Sequence, residues 1–538
     1  MKRMKKVFLV AVLLAAFVLQ AAGCTQQPAA SGAASASEGT SSAAASSAEK
    51  DYSKHEKISW AVYGDEFADL NSDDFAKMWN EKFNVEYDVI SMSYDTWDEK
   101  IRIWTNSQDL PDVAQWEYKH ADGASYAEQG LVKKLPDDWK TRWPNLAEAY
   151  EGTVVGPLLE EQFGGTYFLP RPVFANNQPT EPLVTHQSIF MRKDWLEAVG
   201  AEVKQAYTID EFMDIARRIK EEDPGNMGDQ LVPIGNGINE LPYIFIYSLS
   251  THSVGANAFY KDENGVYQWG PASQDTLTGL KYYQQAYEEG LLDPEFFTGE
   301  TNYQEVFYTA GASAFCQAPG MAQVALRFAN NFKTNLDLEA EDCMSLACVV
   351  DNDGNYHGVE QTNYWGTLMF SPNIDDAKLE RVLDILDYSC TEQGQNEIRM
   401  GIENVDWKRD ASGEIEILLD EGITVFDKYY CIRPFYHNMY ICSDDFGLVN
   451  PTYPQMFRDM SYNQYQEKYS RADEKTFDRI DWDAYFYDSD AMRRVSFNLP
   501  EEYAALVVAG GDMETKWNAW VEEKMKLVQP VLDELNAM

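Results

Sequence analysis

Residues 57–116 alternate between strand-like and helix-like periodicity, and this limits the fold more than any other feature of the 538-residue chain. Lys57-Ile58-Ser59-Trp60-Ala61-Val62-Tyr63 carries apolar residues at period two and reads as a strand. Phe75, Met78, Trp79 and Phe83 recur at helical spacing, which predicts a helix over about 73–82. A second strand follows at 85–90 and a second amphipathic helix at about 94–106. Leu110-Pro111-Asp112-Val113-Ala114-Gln115-Trp116 then reads as a loop entering a buried strand. Strands alternating with helices of this length imply an α/β lobe with a largely parallel sheet.

The chain ahead of that lobe has a different character. Lys2, Arg3, Lys5 and Lys6 precede an apolar run at 7–19, too short to span a bilayer comfortably and of signal-peptide size. Gln20-Ala21-Ala22-Gly23-Cys24 follows, and the small residues before the cysteine resemble the lipobox of bacterial lipoproteins, with Ala21 where leucine is usual. The resemblance implies a signal peptide over 1–23, cleavage before Cys24 and a lipid on its sulfur. Residues 25–50 hold nine Ala and seven Ser and no aromatic or branched aliphatic side chain. Such a stretch buries too little apolar surface to offset the entropy of ordering it and reads as a flexible tether. The chain is therefore expected on the extracytoplasmic face of a membrane, held by the lipid anchor alone.

The body that follows is large and acidic. The whole chain carries 88 acidic against 44 basic residues, a net charge of −44, which argues against nucleic acid and anionic membrane surfaces as partners. Beyond Cys24 there are six cysteines, Cys316, Cys343, Cys348, Cys390, Cys431 and Cys442, with no CxxC pair. They read equally as free buried thiols or as disulfide partners whose pairing the sequence leaves open. GxSxG, HExxH and GxxxxGK[ST] are all absent, and the six histidines have no metal-ligand spacing. No catalytic residue and no cofactor is assigned; the reading from another class is a polysaccharide-degrading lipoprotein that uses two convergent carboxylates.

Further along, 135–181 is rich in Pro, Gly and Asn and reads as a long loop region, and a strand is expected at 186–191, running into a helix closed by Gly200. Thr208 and Glu211 form a capping box for a helix reaching about Glu222, and a helix over 273–289 ends at Gly290. Turns at 261–265, 351–354 and 410–413 suggest hairpins. An amphipathic helix over about 513–535 is expected to break near Pro530.

Six short pieces in this order are similar to the extracellular solute-binding proteins of the maltose-binding, type II, family 1 class, above all their long lipoprotein branch in Firmicutes. They are Leu110-Pro111-Asp112-Val113, Gly165-Thr166-Tyr167-Phe168-Leu169-Pro170-Arg171, Met191-Arg192-Lys193-Asp194-Trp195-Leu196, Asp210-Glu211-Phe212, Glu289-Gly290-Leu291-Leu292-Asp293-Pro294-Glu295-Phe296-Phe297 and Gly401-Ile402-Glu403-Asn404-Val405. The resemblance implies two α/β lobes joined by crossing hinge strands, with a ligand held in the cleft. It places lobe one at 51–170 and 305–370 and lobe two at 171–304 and 371–538, with crossings near 168–186, 301–314 and 369. It implies a monomeric, non-enzymatic binding protein that passes a small molecule, an oligosaccharide above all, to an ABC transporter permease; a non-sugar solute on the same fold is the other reading. The family's calcium loop corresponds to Asp223-Pro224-Gly225-Asn226-Met227-Gly228-Asp229, which is short and lacks the second aspartate, and no metal is assigned. Asp351-Asn352-Asp353-Gly354 is not an EF-hand, because Tyr356 stands where that loop needs glycine.

Sugars stack apolar faces on aromatic rings and pair hydroxyls with carboxylates, amides and Arg. In doubly wound lobes ligands sit at the loops after the carboxyl ends of strands. The expected ligand residues are therefore Tyr63, Asp65 and Glu66 after the first strand and Trp116 and Glu117 after the third. Arg171, Tyr243, Asn363 and Trp365 are added at the hinge and on lobe two, Arg171 serving equally as a structural hinge residue.

Overall fold

The computed structural model describes residues 50–63, 69–93, 96–172, 188–255, 258–298, 303–359, 364–420, 423–440, 450–471, 477–478 and 480–538. Two sheets organise the body Tyr52–Met538. In the first, β1 (Glu56–Tyr63) pairs in parallel with β2 (Val85–Met92) and with β3 (Val113–Trp116). β12 (Tyr364–Phe370) runs antiparallel to β3, and β4 (Leu169–Pro172) closes the edge beside it. The second sheet has the order β6 (Ala206–Thr208), β10 (Met344–Val350), β5 (Ser188–Arg192), β9 (Phe315–Ala318). The remaining strands form small pairs: β7 (Phe259–Lys261) with β8 (Tyr267–Trp269), β13 (Trp407–Arg409) with β14 (Ile415–Ile417), and β11 (Gly358–Val359) with β15 (Phe477–Asp478).

Burial on both faces explains why the alternation of the first strand gives way to the unbroken apolar run Trp60-Ala61-Val62. Ile58, Trp60 and Val62 point into one apolar layer with Phe75 and Trp79, while Ala61 points into another with Trp97 and Trp116. The helix Asp74–Phe83 begins at Asp73, whose carboxylate accepts from the Ala76 amide, and ends at Asn84 in the left-handed region. Thr208 and Glu211 close both bonds of the capping box at the start of the helix Ile209–Glu222.

Strand pairing corrects the expected lobe boundaries. β9 and β10 both pair with β5, so the part of 305–370 that carries them belongs with the second sheet, and the chain returns to the first sheet between Val350 and Tyr364. No return occurs at 301–314 that leads into sheet one. After β12 the chain stays with the first sheet: the helix Asp376–Cys390 packs against the helix Pro144–Glu151 and β1, and Ile432–Asn438 also packs on β1. The helix Gln455–Arg471 lies against Ala322–Leu336 and β10, back with the second sheet. The first crossing lies between β4 and β5, outside the described residues. Periodicity marks a strand but not its partner, and these partners are far away in sequence.

Three local expectations also change. The region 135–181 contains helices at Trp139–Arg142, Pro144–Glu151 and Val155–Phe163. Pro144 and Pro157 sit in first turns, where the missing amide hydrogen has no intrahelical partner to lose, while Trp139, Trp143, Leu146, Tyr150 and Leu159 are buried. The helix Met513–Leu535 runs on through Pro530, which faces solvent, so water can satisfy the carbonyl the ring leaves free. The turn at Asp351 forms, but β10 pairs with β5 and β6 while β11 pairs with β15, so no hairpin results.

Candidate binding cleft

The resemblance motifs turn out to make bonds internal to each half of the molecule. Asp112 accepts the Ser59 amide and hydroxyl at 2.9 Å each and pairs with Lys378 at 2.9 Å, fixing β1, β3 and the helix Asp376–Cys390 together. Arg192 makes a two-point pair with Asp194 and lies over the Trp195 ring. At Gly401 the φ of +90° and the nearness of the Asp406 carboxylate leave no room for a side chain. Asp406 is fully buried and accepts from the Ile402 amide, the Tyr429 hydroxyl and Lys428.

The loop after β3 forms one wall of a cavity between the two halves of the molecule. Tyr118 is buried, its hydroxyl 3.0 Å from His120 Nδ1, and Gln162 Nε2 lies 3.0 Å from His120 Nε2. Gly123 is required beneath the Tyr118 ring, since a Cβ there would lie 2.5 Å from it. The facing wall comes from the C-terminal region. Asp481 caps the helix Trp482–Tyr485, accepts from Tyr267 at 3.0 Å and pairs with Lys261 at 3.2 Å, which ties this aromatic stretch to β7 and β8. Glu534 of the last helix accepts from Tyr487 and Ser489. The segment is thus anchored on the second half and reaches the first: the Tyr364 and Tyr485 hydroxyls are 2.6 Å apart, and Phe486 meets His120 edge to face at 5.3 Å. Tyr118, Lys119, His120, Tyr485, Tyr487, Asp488 and Arg493 are among the residues lining the cavity, whose volume is about 530 Å³, within the ordinary range for small-molecule sites.

The hinge side is a second, tighter cluster. Arg171 in β4 is buried, and its guanidinium donates to the carbonyls of Met439 (2.9 Å), Tyr436 (2.8 Å) and Trp365 (3.2 Å). Half-buried Trp365 packs against Trp97 at 5.9 Å and His437 at 6.0 Å. Burial, with repulsion from Arg171 and then Arg433, pushes the His437 imidazole down to about 3 from its ordinary 6.5, so it is neutral in the folded protein. Between those values an unfolded chain binds a proton that the folded chain refuses. The stabilising difference is complete above pH 6.5 and is lost as pH falls toward 3. Denaturant melts of the protein and of His437→Gln across that window should show the parent losing stability faster with acid; parallel curves would refute this account.

The expected ligand residues divide accordingly. Trp116 ends β3 as expected, yet it is 1% exposed, with its ring against Tyr118, Tyr126 and Phe168 at 5.4, 5.5 and 6.0 Å. It belongs to the core beneath the loop, a correction that follows from Phe168 and Tyr126 arriving over it. Arg171 occupies the structural alternative. Glu117 is exposed, and its carboxyl is raised by desolvation and then by Asp98, with Lys119 opposing. Tyr243 lies on the helix Leu241–Phe245, edge-on to Tyr247 at 4.8 Å and next to Glu240, whose carboxyl burial raises to about 7. Tyr63 closes β1 in register with Met92. Cys24, Asp65, Glu66 and Asn363 lie outside the described residues. Tyr118 belongs to the expected loop after the third strand, whereas His120, Tyr485, Phe486 and Asp488 were not expected; the aromatic density of Trp482, Tyr485, Phe486 and Tyr487 was the available signal.

Among the described residues no group of three or more His, Cys, Asp or Glu is placed to hold a metal. Asp223 accepts the Met227 and Gly228 amides, and Asp351 accepts from Asp353, Asn355 and His357, so both carboxylates are engaged within their own turns. Cys316, Cys343, Cys348 and Cys431 are free thiols, Cys390 Sγ lies 3.6 Å from the Tyr440 carbonyl, and Cys442 lies outside the described residues. No helix among them is long and apolar enough to cross a membrane.

Comparison with known proteins places this architecture. A curated relative, the fructooligosaccharide ABC transporter substrate-binding protein FusA of Streptococcus pneumoniae, is 24% identical over 218 residues, 38% of each chain, so the match spans well under half of that relative's length. The solved structure of FusA from S. pneumoniae with kestose superposes with a TM-score of 0.64 at 14% identity, covering 90% of this chain and 98% of that one. The alginate-binding protein AlgQ2 gives 0.64 at 16% identity over 89% and 97%, and the N-glycan transport solute-binding protein NgtS of S. pneumoniae with Man5GlcNAc gives 0.53 at 14% over 89% and 97%. These likenesses establish the α/β substrate-binding fold that the sequence resemblance implied. The model of the bacterial extracellular solute-binding protein family matches residues 60–335, just over half of the chain, and the chain belongs to that family.

Proposed function

We propose that this protein is the extracytoplasmic binding component of an ABC importer and captures an oligosaccharide without chemical change. The observation that carries the reading is the cavity whose walls come from both halves of the molecule, with Tyr118 on one side and Tyr485 and Tyr487 on the other. Aromatic rings offer faces for the C–H surfaces of sugars, and the hydroxyls and carboxyls around them accept and donate hydrogen bonds. The solved relatives bound to kestose and to Man5GlcNAc support the same class of ligand.

A ligand that touches both walls stabilises the closed arrangement by its differential affinity for it, and closure is what a permease reads. The Tyr364–Tyr485 contact shows how little separates the walls on one side. A thermal-shift screen with neutral and charged oligosaccharides and with peptides tests the reading. A ligand at a hundred times its dissociation constant adds about 2.7 kcal/mol of stability. A shift by peptides or amino acids alone would replace the sugar reading, and release of shortened sugars would replace binding with hydrolysis.

The lipobox resemblance supports a lipid anchor on Cys24 behind an Ala/Ser tether. Cys24→Ala should release the protein from membranes with its melting behaviour unchanged, because residues 25–50 carry no side chains able to pack on the body. Retention of the variant in the membrane fraction would refute the anchor.

A further inference from the structure

We infer that residues 481–488 form a strap carried by the second half of the molecule, which clasps the first half through the Tyr485 and Tyr364 hydroxyls and holds the cleft closed without needing a ligand; this rests on the reading of the cavity as a closing cleft. The strap sits between two apolar cores. Ala484 packs into the core of the second half with Phe259, Tyr267, Met492 and Val495. Trp482 and Phe486, four residues apart and so on one side of the turn, pack against the core of the first half that holds Trp97, Trp116 and Tyr118. The single helical turn Trp482–Tyr485 thus lies with one face toward each half.

The two faces are held differently. On the second half the strap is tied by charged groups: Asp481 accepts from Tyr267 at 3.0 Å and pairs with Lys261 at 3.2 Å, and Tyr487 donates to Glu534 at 3.0 Å. Toward the first half it makes a neutral hydrogen bond, between the Tyr485 and Tyr364 hydroxyls at 2.6 Å, and an edge-to-face contact of Phe486 with His120 at 5.3 Å. Tyr364 itself is fixed in the first sheet, in register with Pro172 of β4. Hydrogen bonds to ionised groups are the stronger kind, so when the halves part the strap leaves with the second half and the hydroxyl clasp is what breaks. The strap also carries Tyr485, Tyr487 and Asp488 into the cavity opposite Tyr118. Opening therefore removes one wall from the ligand, and clasp and ligand favour the same arrangement. The clasp joins two protein groups and forms whether the cavity is empty or filled, so the empty protein already populates the closed arrangement.

The test uses the full mature chain with spin labels at two exposed positions, Ser107→Cys on the first half and Glu263→Cys on the second, and reads their separation by pulsed double electron resonance. Without sugar, the parent should show a closed and an open population. Tyr485→Phe and Tyr364→Phe keep the rings and remove one hydroxyl each. Each should lower the closed-to-open ratio about fivefold, the scale of one net hydrogen bond. The double variant should go no further than either, because both changes remove the same bond. Unchanged distances in the variants, additive losses in the double variant, or a parent wholly open when empty would overturn the strap. Kestose and maltotriose, added to the parent, test the reading beneath it and should draw the open population into the closed one. If neither does so, the sugar reading fails, while the distances measured without sugar still decide the strap.

Discussion

Trp116→Ala is expected to cost about 3–5 kcal/mol of folding stability, the usual consequence of deleting a large buried aromatic side chain. The indole touches Tyr118, Tyr126 and Phe168 and is almost without exposure, so truncation opens a cavity that three rings held at fixed positions can collapse into only partly. Position alone suggests a ligand contact here, which would weaken binding by about 1–3 kcal/mol and leave folding nearly untouched. A denaturant melt and a calorimetric titration on the same variant separate the two. A melt within about 1 kcal/mol of the parent, with affinity lost, would return Trp116 to the cleft wall. Some loss of affinity is expected in any case, since Tyr118 stands between this ring and the cavity.

A comparable loss, about 3–5 kcal/mol, is expected for Arg171→Met, where a buried charged donor is removed from its partners. Methionine replaces much of the volume but no donor, and the carbonyls of Met439, Tyr436 and Trp365 lose theirs in a region with little access to water. Those carbonyls lie at the end of the helix Ile432–Asn438 and at the start of β12, so the guanidinium joins three separate stretches of chain. Arg171→Lys should recover only a small part, because one ammonium cannot reach three diverging acceptors. Urea melts of the three proteins decide it. Equal midpoints for parent and methionine variant would show that the hinge draws its stability from elsewhere.

The motifs that revealed the family had a different role from the one their prominence suggests. Asp112, Arg192, Asp194 and Gly401 are spent on internal bonds and close packing. The cavity wall uses residues such as Tyr485 and Asp488, in a stretch that no motif covered. Residues that hold a fold together answer to fixed geometry and leave recognisable patterns. Residues that meet a ligand answer to its shape, and a lone sequence carries no record of that shape.

Elements built from neighbouring residues were legible in the sequence. The capping box at Thr208, the helix start near Asp73, the alternation in β1 and the Ser273 helix start all depend on contacts a few residues long, and they stand where the pattern put them. The helices at 139–163 were hidden because proline is a breaker only inside a helix and not in its first turn. Tertiary structure alone decided the rest. Which sheet received β9 and β10 depended on β5, more than a hundred residues earlier in the chain. Trp116 became core because Phe168 came to lie over it, and the Tyr364 hydroxyl found its partner in Tyr485, 121 positions away. Periodicity says that a side chain has an apolar face to bury or a polar tip to satisfy. The partner that buries or satisfies it is delivered by the folded path of the chain, and that partner decides whether the residue serves the core or the cleft.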